Sequence, residues 1–315
     1  MRMGLAIDAA CDVSQAFLQQ NNIVVMPITV RVDGEVFMDS REPADTQRFI
    51  ERRLGNRSHS AETEPCPAED VEKLFLEKLV LEQDCVFCLT ITATRSTINE
   101  HVNRASFGIL KSYRQVREKA GVPGPFMMRV VDTRNVFAGA APAIYEANRM
   151  IQAHEPPAAF RERLNYIANN SYGYMLPRDL FYLRARAMKK RNDRSVSLFS
   201  AMLGSALDIK PLLRFYQGET GPVDKVRGFE HGAETLFKYA VQRVRAGLLV
   251  PMLCVSYGGD LAVLPNLPGY AALRTACEEC GVELMDAPMS ITGMVNVGEG
   301  AVVLGFAAEE HDVDF

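Results

Sequence analysis

Three short apolar runs set the architecture of the first half of the chain: MGLAID at 3–8, CVFCLTIT at 85–92 and FMMRVVD at 126–132. Runs of this length read as buried strands, and the first and third end in an acid. Helical periodicity fills the intervals. PAEDVEKLFLEKLVLE at 67–82 carries apolar positions at helical spacing after an acidic first turn, a second helix covers 96–120, and a third follows the last strand through Ala147. MPITVRVDGEVFMD at 26–39 alternates around Asp33-Gly34, the dipeptide favoured in a type I′ hairpin turn. Strands that are apolar on both faces and separated by helices predict a parallel sheet covered on both sides. Ligands of such sheets sit beyond the carboxyl ends of the strands, which points to Asp8, the stretch 90–96 and the stretch 132–135.

HEPPAAF at 154–160 has the composition of a domain junction, because consecutive prolines stop the preceding helix. A chain of 315 residues suits two domains, here 1–155 and 156–315. The second half reads as helices, a hairpin containing Lys210-Pro211, a helix at 229–246, a strand at 251–257, a helix near 268–280 and the closing MSITGMVNVGEGAVVLGF. MKKRNDR at 188–194 reads as a solvated face or loop.

Composition narrows the function. With 48% hydrophobic and 23% charged residues the chain can bury a substantial core, and its net charge of −4 gives no overall attraction for nucleic acid. No run reaches the roughly 18 apolar residues of a membrane helix and no secretion signal is evident, so a cytoplasmic protein is expected. The seven cysteines have no framework spacing and read as reduced thiols. Cys85 and Cys88 lie three apart on a strand and point to opposite faces; Cys277 and Cys280 share a helix face but lack a second ligand pair. No metal and no cofactor is expected.

Five segments in order resemble the DegV family of bacterial lipid-binding proteins. LAIDAACDV resembles the family's opening strand and polar turn, NNIVVMPITVRVDGEVFMD its extended hairpin, and VVDTRNVFAGAAPAIYEA its strand end and small-residue helix. LGSALDIKPLLRFYQGETGPVDKVRG is similar to the family's leucine-rich helix, I-K-P strand, glycine turn and basic K-x-R; MVNVGEGAVVLGF resembles its closing glycine segment. The resemblance covers nearly the whole chain. It implies a two-domain α/β fold, each domain a mostly parallel sheet flanked by helices, with a long-chain fatty acid between them. It also implies a non-catalytic role, in which the lipid head group is presented to a partner kinase that carries the chemistry.

Carried over segment by segment, the resemblance places the head group at Thr63, Thr92, Ser96 and Asn296, with Arg191 or Arg194 as an anion contact. The chain departs from the family there. Glu62-Thr63-Glu64-Pro65-Cys66 stands where the family has TSxPS, and Ala93 stands in place of a serine. Asn296 replaces a histidine and Glu299 a proline. The acids Glu62, Glu64 and Glu299 would repel a carboxylate if they faced it. Lys210, Arg214, Lys225 and Arg227 are expected to form a basic patch for an acidic partner or an anionic membrane surface.

The alternative is an enzyme or regulator on a related fold that binds a different small molecule, with phosphoryl transfer supplied by a partner. Related phosphotransfer folds use histidine covalently. Here His59, His154 and His311 fall in polar or terminal contexts, and His101 and His231 sit on helices without an acid–base partner. No P-loop, G-x-G-x-x-G or nucleophile elbow is present.

Overall fold

A computed structural model describes residues 1–55, 59–181 and 208–315. Its first sheet is wholly parallel, in the order β2 (Val24–Met26), β1 (Met3–Asp8), β6 (Cys85–Thr90), β7 (Met127–Asp132). All six residues of β6 are buried, which is why the run shows no alternation. The Asp33-Gly34 hairpin forms as expected, with both residues at positive φ (48° and 87°), the geometry a type I′ turn requires. It joins β3 (Ile28–Val32) to β4 (Glu35–Asp39) in a separate antiparallel sheet, in the order β4-β3-β5, where β5 is Ala61–Pro65.

The third sheet runs β10 (Glu219–Arg227), β9 (Ile209–Tyr216), β8 (Ser171–Leu176), β13 (Val302–Ala307), β11 (Met252–Tyr257), β12 (Glu283–Pro288). The expectation of a mostly parallel sheet in the second half is corrected here: only β11 and β12 pair in parallel, and the other neighbours are antiparallel. The reason lies in the connections. β9 and β10 are joined by the two-residue turn Gln217-Gly218, both at positive φ, and so short a loop permits only antiparallel pairing. The strand–helix–strand unit that places its two strands side by side in parallel is β11, helix Tyr270–Cys280, β12. Pro211 is tolerated because β9 pairs with β8 only from Leu213 onward, so Pro211 has β10 as its single neighbour.

One helix, Ala141–Gln152, lies between the first and third sheets, and its Ala141, Ala143, Ile144 and Ala147 are fully buried. It is led in by a tight turn, Phe137–Ala140, that presses on β13: a Cβ on Gly305 would lie 1.8 Å from the Ala138 carbonyl oxygen. After the prolines, helix Pro157–Asn169 packs on the first sheet, Phe160 stacking on Phe87 with centroids 4.0 Å apart. Pro157 is the first residue of that helix, so the proline pair that ends one helix also starts the next.

On the outer face of the third sheet an aromatic cluster of Tyr172, Tyr174, Tyr239 and Phe306 is covered by the C-terminal segment, through His311 and Phe315. His311 Nδ1 lies 2.7 Å from the Glu309 carbonyl and therefore carries the proton, leaving Nε2 to accept from the Tyr239 hydroxyl at 2.8 Å. Burial, with Arg243 and Arg214 nearby, lowers the His311 pKa. The unfolded chain thus takes up this proton before the folded one does, so stability should fall as pH drops below the ordinary histidine range. Melting temperature followed from pH 7.5 to 5.5 should fall further in the wild type than in His311→Gln; equal slopes would exclude the linkage.

Candidate functional site

The small sheet has two unlike faces. Alternation points Arg31, Glu62 and Glu64 to solvent, and Arg31 pairs with Glu64 at 3.6 Å. Glu62 and Glu64 therefore turn away from any buried ligand. Ile28, Val30, Phe37 and Pro65 point to the other, covered face. Beyond Glu35 at the exposed hairpin end, the polar side chains on that face are Asp39 and Thr63.

Helix Ile291–Val297 packs over β3 and β5, and all seven of its residues are buried. Ser290 caps it, its hydroxyl accepting from the Gly293 amide at 3.0 Å. Thr292 and Asn296 are four apart and so share a face. The Thr292 amide donates to Asp39 Oδ2 at 2.7 Å. The boundary between sheet and helix therefore holds Asp39, Thr63, Thr292 and Asn296 among apolar side chains. Among the described residues neither Asp39 Oδ1 nor Thr292 Oγ1, both buried, has a hydrogen-bond partner.

A buried ionic network lies behind this boundary. Arg41 Nη1 donates to Asp12 at 3.1 Å, and its Nη2 donates to the Val13 and Pro288 carbonyls at 3.0 and 2.7 Å. Asp12 also accepts from the Ser256 hydroxyl at 2.5 Å and the Ser290 amide at 2.9 Å. The network joins the turn after β1, the segment after β4, strand β11 and the cap of the Asn296 helix. Burial pushes the Asp12 and Asp39 carboxyls up against the opposing pull of Arg41. Glu299, just beyond the helix, accepts from the Gly55 amide at 3.0 Å, and burial raises its pKa.

Of the head-group residues expected from the sequence, the structure brings Thr63 and Asn296 to this one boundary. Thr92 lies against the β9–β10 turn: its hydroxyl is 3.2 Å from that of Thr94, which donates to the Gly218 carbonyl at 2.5 Å. The hairpin tip thus occupies part of the space beyond the ends of β6 and β7. The Ser96 hydroxyl accepts from the Ile98 amide at 3.2 Å, a helix-start role. Asp8, at the end of β1, accepts from the Ile91 and Ala10 amides, and burial raises its pKa to about 6. Arg191 and Arg194 lie outside the described residues.

The four basic residues do not share a face. Lys210 and Arg214 point with Leu212 to the side of the aromatic cluster, whereas Lys225 and Arg227 point the opposite way. Lys210 donates to the Arg178 carbonyl and pairs with Asp208, and Arg214 lies over the Tyr216 ring. Among the described residues no group of three or more His, Cys, Asp or Glu is placed to hold a metal, and no helix is long and apolar enough to cross a membrane. Every cysteine is free, and all but Cys280 are buried.

The sequence reading missed Asp12, Asp39, Arg41 and Thr292. Asp39 was accessible to it: two residues from Phe37, it stands on the apolar side of an alternating strand. Asp12 and Arg41 meet only through tertiary structure.

Fold and site together define an α/β protein of three sheets with a largely apolar, hydrogen-bonding boundary between a small antiparallel sheet and a C-terminal helix. The chain belongs to the DegV family, whose profile, described as uncharacterised protein of the DegV family, matches residues 2–309. A DegV domain-containing protein of Xanthomonas axonopodis pv. citri (strain 306) is 51% identical over 311 residues, covering 99% of each chain. A solved stearic acid-binding protein from Eubacterium ventriosum ATCC 27560 superimposes with a TM-score of 0.76 at 18% identity, over 98% of both chains. The Streptococcus pneumoniae Fatty Acid Kinase (Fak) B3 protein loaded with linoleic acid gives a TM-score of 0.71 at 15% identity, over 98% of this chain and 99% of that one.

Proposed function

We propose that this protein is a non-catalytic lipid carrier that buries a long-chain fatty acid or a close relative and offers its head group to a separate kinase. The lipid lies between two domains, residues 1–155 and 156–315. The observation that carries the reading is the set Asp39, Thr63, Thr292 and Asn296, four polar side chains at an otherwise apolar boundary between one element from each half of the chain. Such a boundary suits a ligand that is apolar along its length and polar at one end. Each buried methylene contributes about 0.8 kcal/mol, and the head group needs donors because an unpaired polar group is expensive to bury. Kinship to proteins described as fatty-acid binding supports the lipid, and the fatty acid kinase B3 relative supports the kinase partner. Arg191 and Arg194 are anion contacts in this reading. The exposed pair Lys225 and Arg227 faces the partner or an anionic membrane surface.

Native mass spectrometry of the purified protein, set against its denatured spectrum, tests the reading. A co-purified acyl lipid in one-to-one ratio is expected. If neither palmitate nor monopalmitoylglycerol binds the delipidated chain, the carrier role falls. Asn296→His should tighten palmitate binding by about tenfold, since a hydrogen bond to a charged group is worth roughly 1.5–3 kcal/mol against about 1 for a neutral pair. Unchanged affinity by calorimetry would remove Asn296 from the head-group site.

A further inference from the structure

We infer that the site selects a long-chain lipid whose head group is neutral and donates hydrogen bonds, such as a monoacylglycerol, primary amide or alcohol, over a free carboxylate; this rests on the carrier role proposed above. Asp39 is 1% and Thr292 6% exposed; Asp39 Oδ1 has no partner among the described residues, and the Thr292 hydroxyl acts on the Asp39 carboxyl without reaching full hydrogen-bond geometry. Buried polar atoms are almost always paired, so these two incompletely paired groups mark where a ligand's polar atoms complete the network. Burial raises the Asp39 pKa while Arg41 and Thr292 oppose the rise, and at a pH where the carboxyl is ionised its Oδ1 only accepts, so whatever meets it there has to bring a hydrogen. A carboxylate ligand has none to give.

Charge points the same way. The cation that acts on Asp39 is Arg41, and its guanidinium is already committed to Asp12 and to two backbone carbonyls. Among the described residues two buried carboxylates, Asp12 and Asp39, thus share Arg41, and Glu299, on which Arg53 and His59 act, adds a further half-buried acid beyond the same helix. The nearest groups on the helix, Thr292 and Asn296, are neutral. Within the described residues a second anion placed here meets like charge in a low-dielectric setting. A hydroxyl or amide meets complementary partners instead: its hydrogen goes to Asp39 Oδ1, and its oxygen accepts from the Thr292 hydroxyl or the Asn296 amide.

The experiment is a competition on the full-length, delipidated protein, with palmitate and monopalmitoylglycerol at equal concentration and occupancies read by native mass spectrometry. Monopalmitoylglycerol is expected to exceed palmitate by about tenfold or more. Asp39→Asn removes the charge while its side-chain oxygen still accepts from the Thr292 amide, and should move the ratio toward palmitate. Thr292→Val keeps the backbone bond to Asp39 and should weaken both lipids, because either head group accepts from that hydroxyl, so the wild-type ratio carries the test if Asp39→Asn fails to fold by circular dichroism. Palmitate in excess with the wild type, or a ratio that a folded Asp39→Asn does not move, overturns the selectivity while leaving the carrier role intact. Binding of neither lipid overturns both.

Discussion

Asp12→Ala is expected to lower stability by roughly 3–5 kcal/mol, the usual consequence of removing one partner from a buried ion pair. Both side chains of the pair are almost fully enclosed, Arg41 at 3% and Asp12 at 0% exposure. Alanine would leave the guanidinium with only two carbonyls, and would also take the acceptor from the Ser256 hydroxyl and the Ser290 amide. The loss should appear as a lower urea midpoint. Asp12→Asn keeps an acceptor without the charge and should fall between wild type and alanine. Removing the guanidinium as well, in Asp12→Ala with Arg41→Met, should recover only the part of the loss that Asp39, the remaining buried carboxyl on which Arg41 acts, leaves uncompensated. A midpoint in Asp12→Ala within error of wild type would show that the network does not hold the sheets together. Because Ser290 caps the helix that carries Thr292 and Asn296, the same substitution should reduce lipid retention even where the fold survives.

The parts of the fold that could be read in the sequence are those whose signal is local. β6 is apolar at nearly every position because both of its faces are covered, and Asp33-Gly34 is diagnostic because both residues must adopt positive φ. β8 was read as part of a helical stretch. Its SYGYML contains a glycine that weakens any strand signal, and that glycine answers to a tertiary demand: a Cβ on Gly173 would lie 2.7 Å from Asn135 Oδ1. The antiparallel order of the third sheet was equally hidden, since it depends on β13 returning between β8 and β11 from the far end of the chain.

The site divides along the same line. Thr63 and Asn296 emerged from the family resemblance, not from any periodicity, and they come to one boundary only because the C-terminal helix folds back over a sheet made from residues 28–65. Thr92 had the right position for a ligand contact, at the end of a parallel strand, but the β9–β10 turn from the other half reaches it. Nothing near residue 92 in the sequence announces Gly218. Charge was misleading in the same way at Glu62 and Glu64, where an alternating strand turns both acids outward while Thr63 between them faces in.

Arg117→Ala is expected to destabilise the protein by roughly 4 kcal/mol, since the buried Val80 carbonyl and several part-buried ones would lose their donor at 1–3 kcal/mol each, partly relieved by water. Sequence reasoning treats an arginine in the last turn of an amphipathic helix as solvent-exposed and favourable to the helix dipole. Here Arg117, in helix Ile98–Ala120, is 2% exposed. Its Nε donates to the Val80 carbonyl at 2.8 Å, and Nη1 donates to those of Gly124 and Pro125 at 3.0 and 2.9 Å. Nη2 donates to the Gln83 carbonyl and to Asp84. One planar fork therefore closes the end of the preceding helix, the entry to β6 and the loop into β7. Asp84 keeps a second partner in Arg2, so the damage should come from the carbonyls and not from a stranded carboxylate. Arg117→Lys separates the two contributions, because an ammonium keeps the charge but cannot reach acceptors spread over three segments. Thermal unfolding should show both variants below wild type, alanine by about 6 °C and lysine by at least half of that. If lysine restores wild-type stability, charge and not the fork geometry is what the site requires.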